Sequence, residues 1–170
     1  GADSFSGYAI LRSEDMAGQL RKLAIGLEVI DDAADYMARL EALASGELDM
    51  AAFPVNSFVQ CGARLGEWPA SIVYVIDETC GADAIVAHKQ ALPSISDLNR
   101  PNARIVVTPD SPSEFLSRVL IASFNLPLLP TDKWMIGEKG SPEVYASLRG
   151  ESGTRPYAYA LWEPDVSRAL

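Results

Sequence analysis

The chain has little that would let it do covalent chemistry by a familiar route. Its 170 residues include one histidine and two cysteines, with no Gly-x-Ser-x-Gly elbow and no dinucleotide-binding glycine pattern. His88 closes an apolar run with no acid or nucleophile assigned beside it, so it reads as a structural or surface residue. Cys61 and Cys80 are too few for a disulfide framework or a zinc centre, although two cysteines of an exported protein can pair. A small hydrolase using Cys61 or Cys80 with His88 has no motif to bring those groups together. Basic residues are scarce too. The 14 Lys and Arg stand against 23 Asp and Glu, a formal charge of −9, which is opposite to the footprint of a phosphate-backbone binder and excludes nucleic acid as a partner. Long apolar runs are missing: residues 119–129 are interrupted by Ser123, Asn125 and Pro127 and fall short of the ~20 needed to span a bilayer. Gly1-Ala2-Asp3 lacks the basic and apolar parts of a signal peptide. No metal or cofactor motif is present.

What is there is an ordinary globular composition, 48% hydrophobic, enough to bury roughly 70% of the unfolded surface in one or two units. Boundary signals and periodicity alternate helix with strand. Ser13 caps a helix with Met16, Leu20, Leu23 and Ala24 on its apolar side, ending near Gly26. A strand over 27–30 follows, then a helix with Ala33, Met37, Leu40 and Ala44 on one face, closed by Gly46. A mostly apolar strand is expected over 48–55, then a helix opened by a Ser57/Gln60 capping box and ended by Gly66. Strands over 72–76 and 82–87 flank the polar loop 77–81. Residues 88–102 are rich in Pro, Ser and Asn and read as a hinge between a first lobe, 1–87, and a second, 103–170. The second lobe opens with a β-branched strand over 105–108. A cap, a first-turn proline and a capping-box glutamate then coincide in Ser111-Pro112-Ser113-Glu114. Ser141-Pro142-Glu143 opens a further helix the same way, and 157–161 is a last strand. The pattern is that of an α/β fold with parallel-rich sheets flanked by helices.

Two corners of this pattern carry candidate chemistry. Strand, tight turn and hydroxyl-bearing helix start present free N–H groups and the positive end of a helix dipole to a ligand, at 108–114 and again at 55–58. A capped helix alone is ordinary structure, so the reading requires the two corners to share a crevice with their amides unoccupied. Asp31, Asp32 and Asp35 fit the first turn of a helix better than a metal or acid–base site, and Asp77 and Glu78 fit a solvated loop. Gly137-Glu138-Lys139-Gly140-Ser141 is too short for a nucleotide phosphate loop and reads as a turn. Tyr8 and Trp162 suit either the wall of a small-molecule pocket or a domain seam.

Six segments fall in a familiar order: Ser6-Gly7-Tyr8-Ala9, residues 46–51, residues 81–86, residues 94–98, residues 108–116 and Trp162-Glu163-Pro164. Together they resemble the nitrate/sulfonate/taurine and thiamine-precursor group of periplasmic solute-binding proteins. No single motif among them is unique; their order over nearly the whole chain carries the resemblance. The cysteine cluster of the thiamine-precursor synthases is absent.

The resemblance implies a type II periplasmic-binding fold of two lobes that closes on a small anionic or polar solute. The solute would be delivered outside the cytoplasm to the membrane permease of an ATP-driven (ABC) importer, without catalysis. It implies ligand contacts from Ser6, Gly7 and Tyr8 and from Asn56 and Ser57 in the first lobe. Asp110, Ser111, Pro112 and Ser113 would answer from the second, with Trp162 and Glu163 behind. Members carry a strand ahead of the Ser-Gly-Tyr loop and a return segment beyond Trp-Glu-Pro, so the expectation here is part of a longer protein with its first lobe incomplete, completed by another chain or a second copy. The same features also suit a sensing or scaffolding module of a larger envelope or regulatory protein.

Overall fold

Arg104–Val107 is short and β-branched, and it forms an interior strand, β2, of a four-stranded mixed sheet in the computed structural model, which describes residues 1–130 and 132–170. Its neighbours are β3 (Met135–Gly137) and β4 (Tyr157–Trp162), both parallel to it, while β1 (Asp83–Ala87) runs antiparallel along the outer edge of β4. Ile105 and Val107 turn to one face with Ala158 and Ala160, and pack with Leu126, Leu129 and Trp134. Val106, Tyr159 and Leu161 turn to the other face and meet Val144, Leu148 and Val166. This is strand alternation with both faces apolar, as a sheet covered on two sides requires. The cover comes from α4 (Pro112–Phe124), whose Leu120 and Ile121 join the first cluster, and from α5 (Ser141–Gly150) and α6 (Asp165–Ala169) on the second. The α/β class expected from the sequence is therefore what the chain adopts.

The chain divides between Thr79 and Cys80 into two compact units. This differs from the expected boundary. Residues 83–87, assigned to the first lobe, pair over five positions with β4 and belong to the second unit. Residues 88–102 are not a free hinge: Leu92 and Leu98 are buried in the first apolar cluster, and Ser94 and Asp97 form the capping box of a 3-10 turn, Ile95–Leu98. A strand edge and two apolar side chains outweigh the polar composition that suggested a linker.

The unit 1–79 holds a 3-10 turn (Ser6–Arg12), α1 (Glu14–Lys22), α2 (Tyr36–Ser45) and α3 (Val55–Leu65). Ser13 accepts from Met16 N as expected, Asp35 caps α2 by accepting from Ala38 N, and Gly46 and Gly66 end their helices with left-handed φ of 80° and 81°. The strands expected over 27–30, 48–55 and 72–76 do not form; the strands of the described residues all lie in 80–170. A strand exists only by pairing, and apolar character alone does not supply a partner. The unit is organised instead around Arg39. Its fully buried guanidinium bonds Asp32 through Nε at 2.6 Å, Asp3 Oδ2 at 3.0 Å and the Ala52 carbonyl, and lies over the rings of Tyr36 and Phe53 at 4.9 and 5.4 Å.

Candidate functional site

The parallel strands β2, β3 and β4 end at one edge of the sheet, and antiparallel β1 begins there, since Asp83 lies opposite Trp162. The chain goes from β2 through α4 outward to β3, then through α5 back across to β4, with α4 and α5 on opposite faces. Such a reversal opens a crevice at the carboxyl ends of the strands. Asp110, Ser111, Pro112, Ser113, Trp162 and Glu163 all fall at this edge, as the expected second-lobe contacts would.

The start of α4, however, is closed by the protein's own groups. Ser111 Oγ accepts from Glu114 N at 3.3 Å and donates to the Thr108 carbonyl at 2.6 Å, and Glu114 Oε2 accepts from Asp110 N at 2.6 Å. The Glu114 carboxylate is buried at the positive end of the helix and is held by Arg118 Nε at 2.8 Å, so an anion's place there is already taken. The Ser111 cap was legible in the sequence; the reciprocal half of the expected capping box does not form, because the Glu114 carboxylate reaches past the N-cap to Asp110 N, and that this leaves no cradle was not legible. Ser113 Oγ donates to Asp83 Oδ1 at 2.8 Å, and burial pushes the Asp83 carboxyl above its ordinary value, partly opposed by that hydrogen bond. Ser141 is not a cap. It is the first residue of α5, and its buried hydroxyl lies 3.2 Å from both the N and the O of Trp162, tying α5 to β4. Trp162 is buried, and the Glu163 carboxylate is engaged by the N–H and hydroxyl of Ser167. Asp110 adopts a left-handed φ of 62°, a conformation Asp tolerates better than most residues.

The α3 corner of the first unit is different. The expected Ser57/Gln60 capping box does not form, because α3 starts three residues earlier, with Pro54 rather than Ser57 at the N-cap and no side-chain cap. Among the described residues nothing accepts from the N–H groups of Val55, Asn56 or Ser57. Asn56 Nδ2, Ser57 Oγ and Gln60 Oε1 are each screened from solvent and without a hydrogen-bond partner. Ser57 itself is 0% exposed. Asn56 and Gln60 are one helical turn apart on one face, with Ser57 next to that stripe. Thr108 Oγ1, at the end of β2, is the corresponding buried orphan in the second unit. Neither Gln60 nor Thr108 was among the expected site residues; the i,i+4 spacing of Asn56 and Gln60 on one helix face was a signal that could have found Gln60.

Ser6 is exposed, while Gly7 and Tyr8 belong to a 3-10 turn rather than an open loop. A β-carbon on Gly7 would collide with the Asp77 carboxylate and the Phe5 ring. Tyr8 is buried with Ala2 and Ala52, edge-on to Phe5 at 5.3 Å, and burial, reinforced by Asp3, raises its phenol well above the usual range. It fills a core rather than walling a pocket. The two cysteines are not joined in a disulfide; Cys61 is buried and Cys80 exposed. His88 Nε2 lies 3.1 Å from the Leu148 carbonyl, which suits a structural role. Among the described residues no group of acidic, His and Cys side chains is placed to hold a metal, and no helix is long and apolar enough to cross a membrane.

No protein-family model, curated protein or solved structure matches this chain.

Proposed function

We infer that the chain is a solute-binding module that holds a small polar or anionic molecule at the start of α3. The carrying observation is the set of unmet groups there: three backbone N–H donors, the Asn56 amide N–H and the Ser57 hydroxyl gather at the positive end of an eleven-residue helix. Leaving the Asn56 amide and the Ser57 hydroxyl buried and unpaired costs about 1–3 kcal/mol each, a debt that a ligand oxygen removes. Gln60 Oε1 asks for a donor on the same ligand. A solute with an oxyanion or carbonyl end and a neighbouring N–H or O–H fits this set. Because the three side-chain atoms are screened from solvent, capture involves opening this corner and closing it again.

The order of the six sequence segments supports placing the module with extracytoplasmic carriers that feed an ABC permease; the chain divides into two units, as a two-lobed carrier would, with the α/β build expected of a type II lobe present in the second unit and not in the helical first. The closed start of α4 narrows the reading, since Ser111 and Ser113 then serve as architecture and the anion-selective contact rests on α3. A thermal-shift panel of nitrate, sulfate, alkylsulfonates, alkylphosphonates, amino acids and small nitrogen heterocycles tests this. A ligand at 100 times its Kd stabilises by about 2.7 kcal/mol. A rise in Tm with one chemical class supports the proposal; flat melts across the panel, with native mass spectrometry of freshly purified protein showing no bound small molecule, overturn it.

A further inference from the structure

Residues 72–76, Ile-Val-Tyr-Val-Ile, are a palindrome. They are also out of place. All five lie outside every helix and strand, are 36–78% exposed, and among the described residues exchange no backbone hydrogen bond with any other part of the chain. An uncharged β-branched and aromatic run with free N–H and C=O groups on both sides is a strand awaiting a partner.

We propose that residues 72–76 pair antiparallel with the same segment of a second copy of this chain, about a two-fold axis through Tyr74. Under that symmetry Ile72 faces Ile76, Val73 faces Val75 and Tyr74 faces Tyr74, so each cross-strand pair joins identical side chains. The flanks select the direction. In the antiparallel register Asp77 lies opposite Ser71 and Glu78 opposite Ala70, and no carboxylate faces another. Parallel, in-register stacking would set Asp77 against Asp77 and Glu78 against Glu78, and like charges directly opposite are destabilising. The same feature disfavours parallel, in-register fibrils. A two-stranded contact of this length is weak, and two chains of charge −9 repel, so the dimer strengthens with concentration and with salt.

The test uses cysteine trapping in the full chain with Cys80→Ser, Cys61 being buried. Tyr74→Cys is expected to give a disulfide-linked dimer on mild oxidation, because position 74 alone faces itself. Val73→Cys and Val75→Cys are expected to stay monomeric singly and to cross-link when mixed. Equal cross-linking at all three positions, meaning parallel stacking, or none at position 74, overturns the proposal. Sedimentation equilibrium of the unmodified chain provides the second arm. Self-association is expected to rise with salt, to vanish in Val73→Lys/Val75→Lys, and to return when that variant is mixed with Val73→Glu/Val75→Glu; association that survives the lysines overturns it.

Discussion

The two units have similar lengths and opposite constructions. Residues 80–170 bury β-branched and aliphatic side chains on both faces of a sheet, and polar groups at its edge find one another: Ser111 with Thr108, Ser113 with Asp83, Ser141 with Trp162. Residues 1–79 bury an ion network at their centre and leave aliphatic and aromatic side chains outside, including Leu23, Met50 and the whole of 72–76. Close packing of apolar layers does not depend on any one contact, whereas a buried charge depends on every partner it has. The units are therefore expected to fail in different ways.

The sharpest way to separate them is to remove the hub of the first. Arg39→Ala strands the buried Asp3 carboxylate, and a loss of about 3–5 kcal/mol is expected. Trp68, which packs on Gly62, reports the first unit in a denaturant titration, and Trp134 and Trp162 report the second. Each Trp observed alone, with the others replaced by Phe, is expected to show the Trp68 transition moving and the second-unit transition staying. Leu161→Ala inverts the experiment. It removes a fully buried side chain between α5 and the sheet, with an expected loss of about 2–5 kcal/mol read at Trp134.

Below these in size comes Ser111→Ala, which deletes the cap of α4 and its bond to the Thr108 carbonyl, an expected loss of about 0.5–2 kcal/mol seen as a lower Tm of the second unit. Asp83 gives a pH dependence of known sign. Its folded pKa lies above its ordinary value of 3.8, so the folded state binds the proton more tightly than the unfolded chain does. Its favourable contribution is complete below that ordinary value and is lost as pH rises through the folded pKa. Asp83→Asn, which keeps an acceptor for Ser113, is expected to raise the Tm at neutral pH, with the gain shrinking toward the acid limit.

How much of this was legible in the sequence follows the same division. In the second unit Ile105 to Thr108, the Ser111 cap and the strand near Tyr157 all stand close to where pattern and turn chemistry put them, because local signals and tertiary partners agree. In the first unit the helix signals at Ser13, Gly46 and Gly66 held, since caps and left-handed glycines act within a few residues. The strands did not, because 27–30, 48–55 and 72–76 each depend on a neighbour that no local pattern specifies. Arg39 was invisible for a related reason: its partners Asp3 and Ala52 lie 36 and 13 residues away. At the candidate site, residue types were readable and their occupancy was not. Ser111 and Asn56 looked alike as helix starts; the Glu114 carboxylate occupies the first, and among the described residues no partner meets the Asn56 amide N–H at the second.

That contrast is most directly tested by melting Ser57→Ala alone and with the panel compound that raises the Tm of the unmodified chain. A hydroxyl that waits for a ligand contributes nothing to the free protein, so the free Tm is expected to stay the same or rise slightly while the ligand-induced shift is lost. A Ser57→Ala protein that melts well below the parent, or that responds to the compound undiminished, would contradict the assignment of the α3 corner.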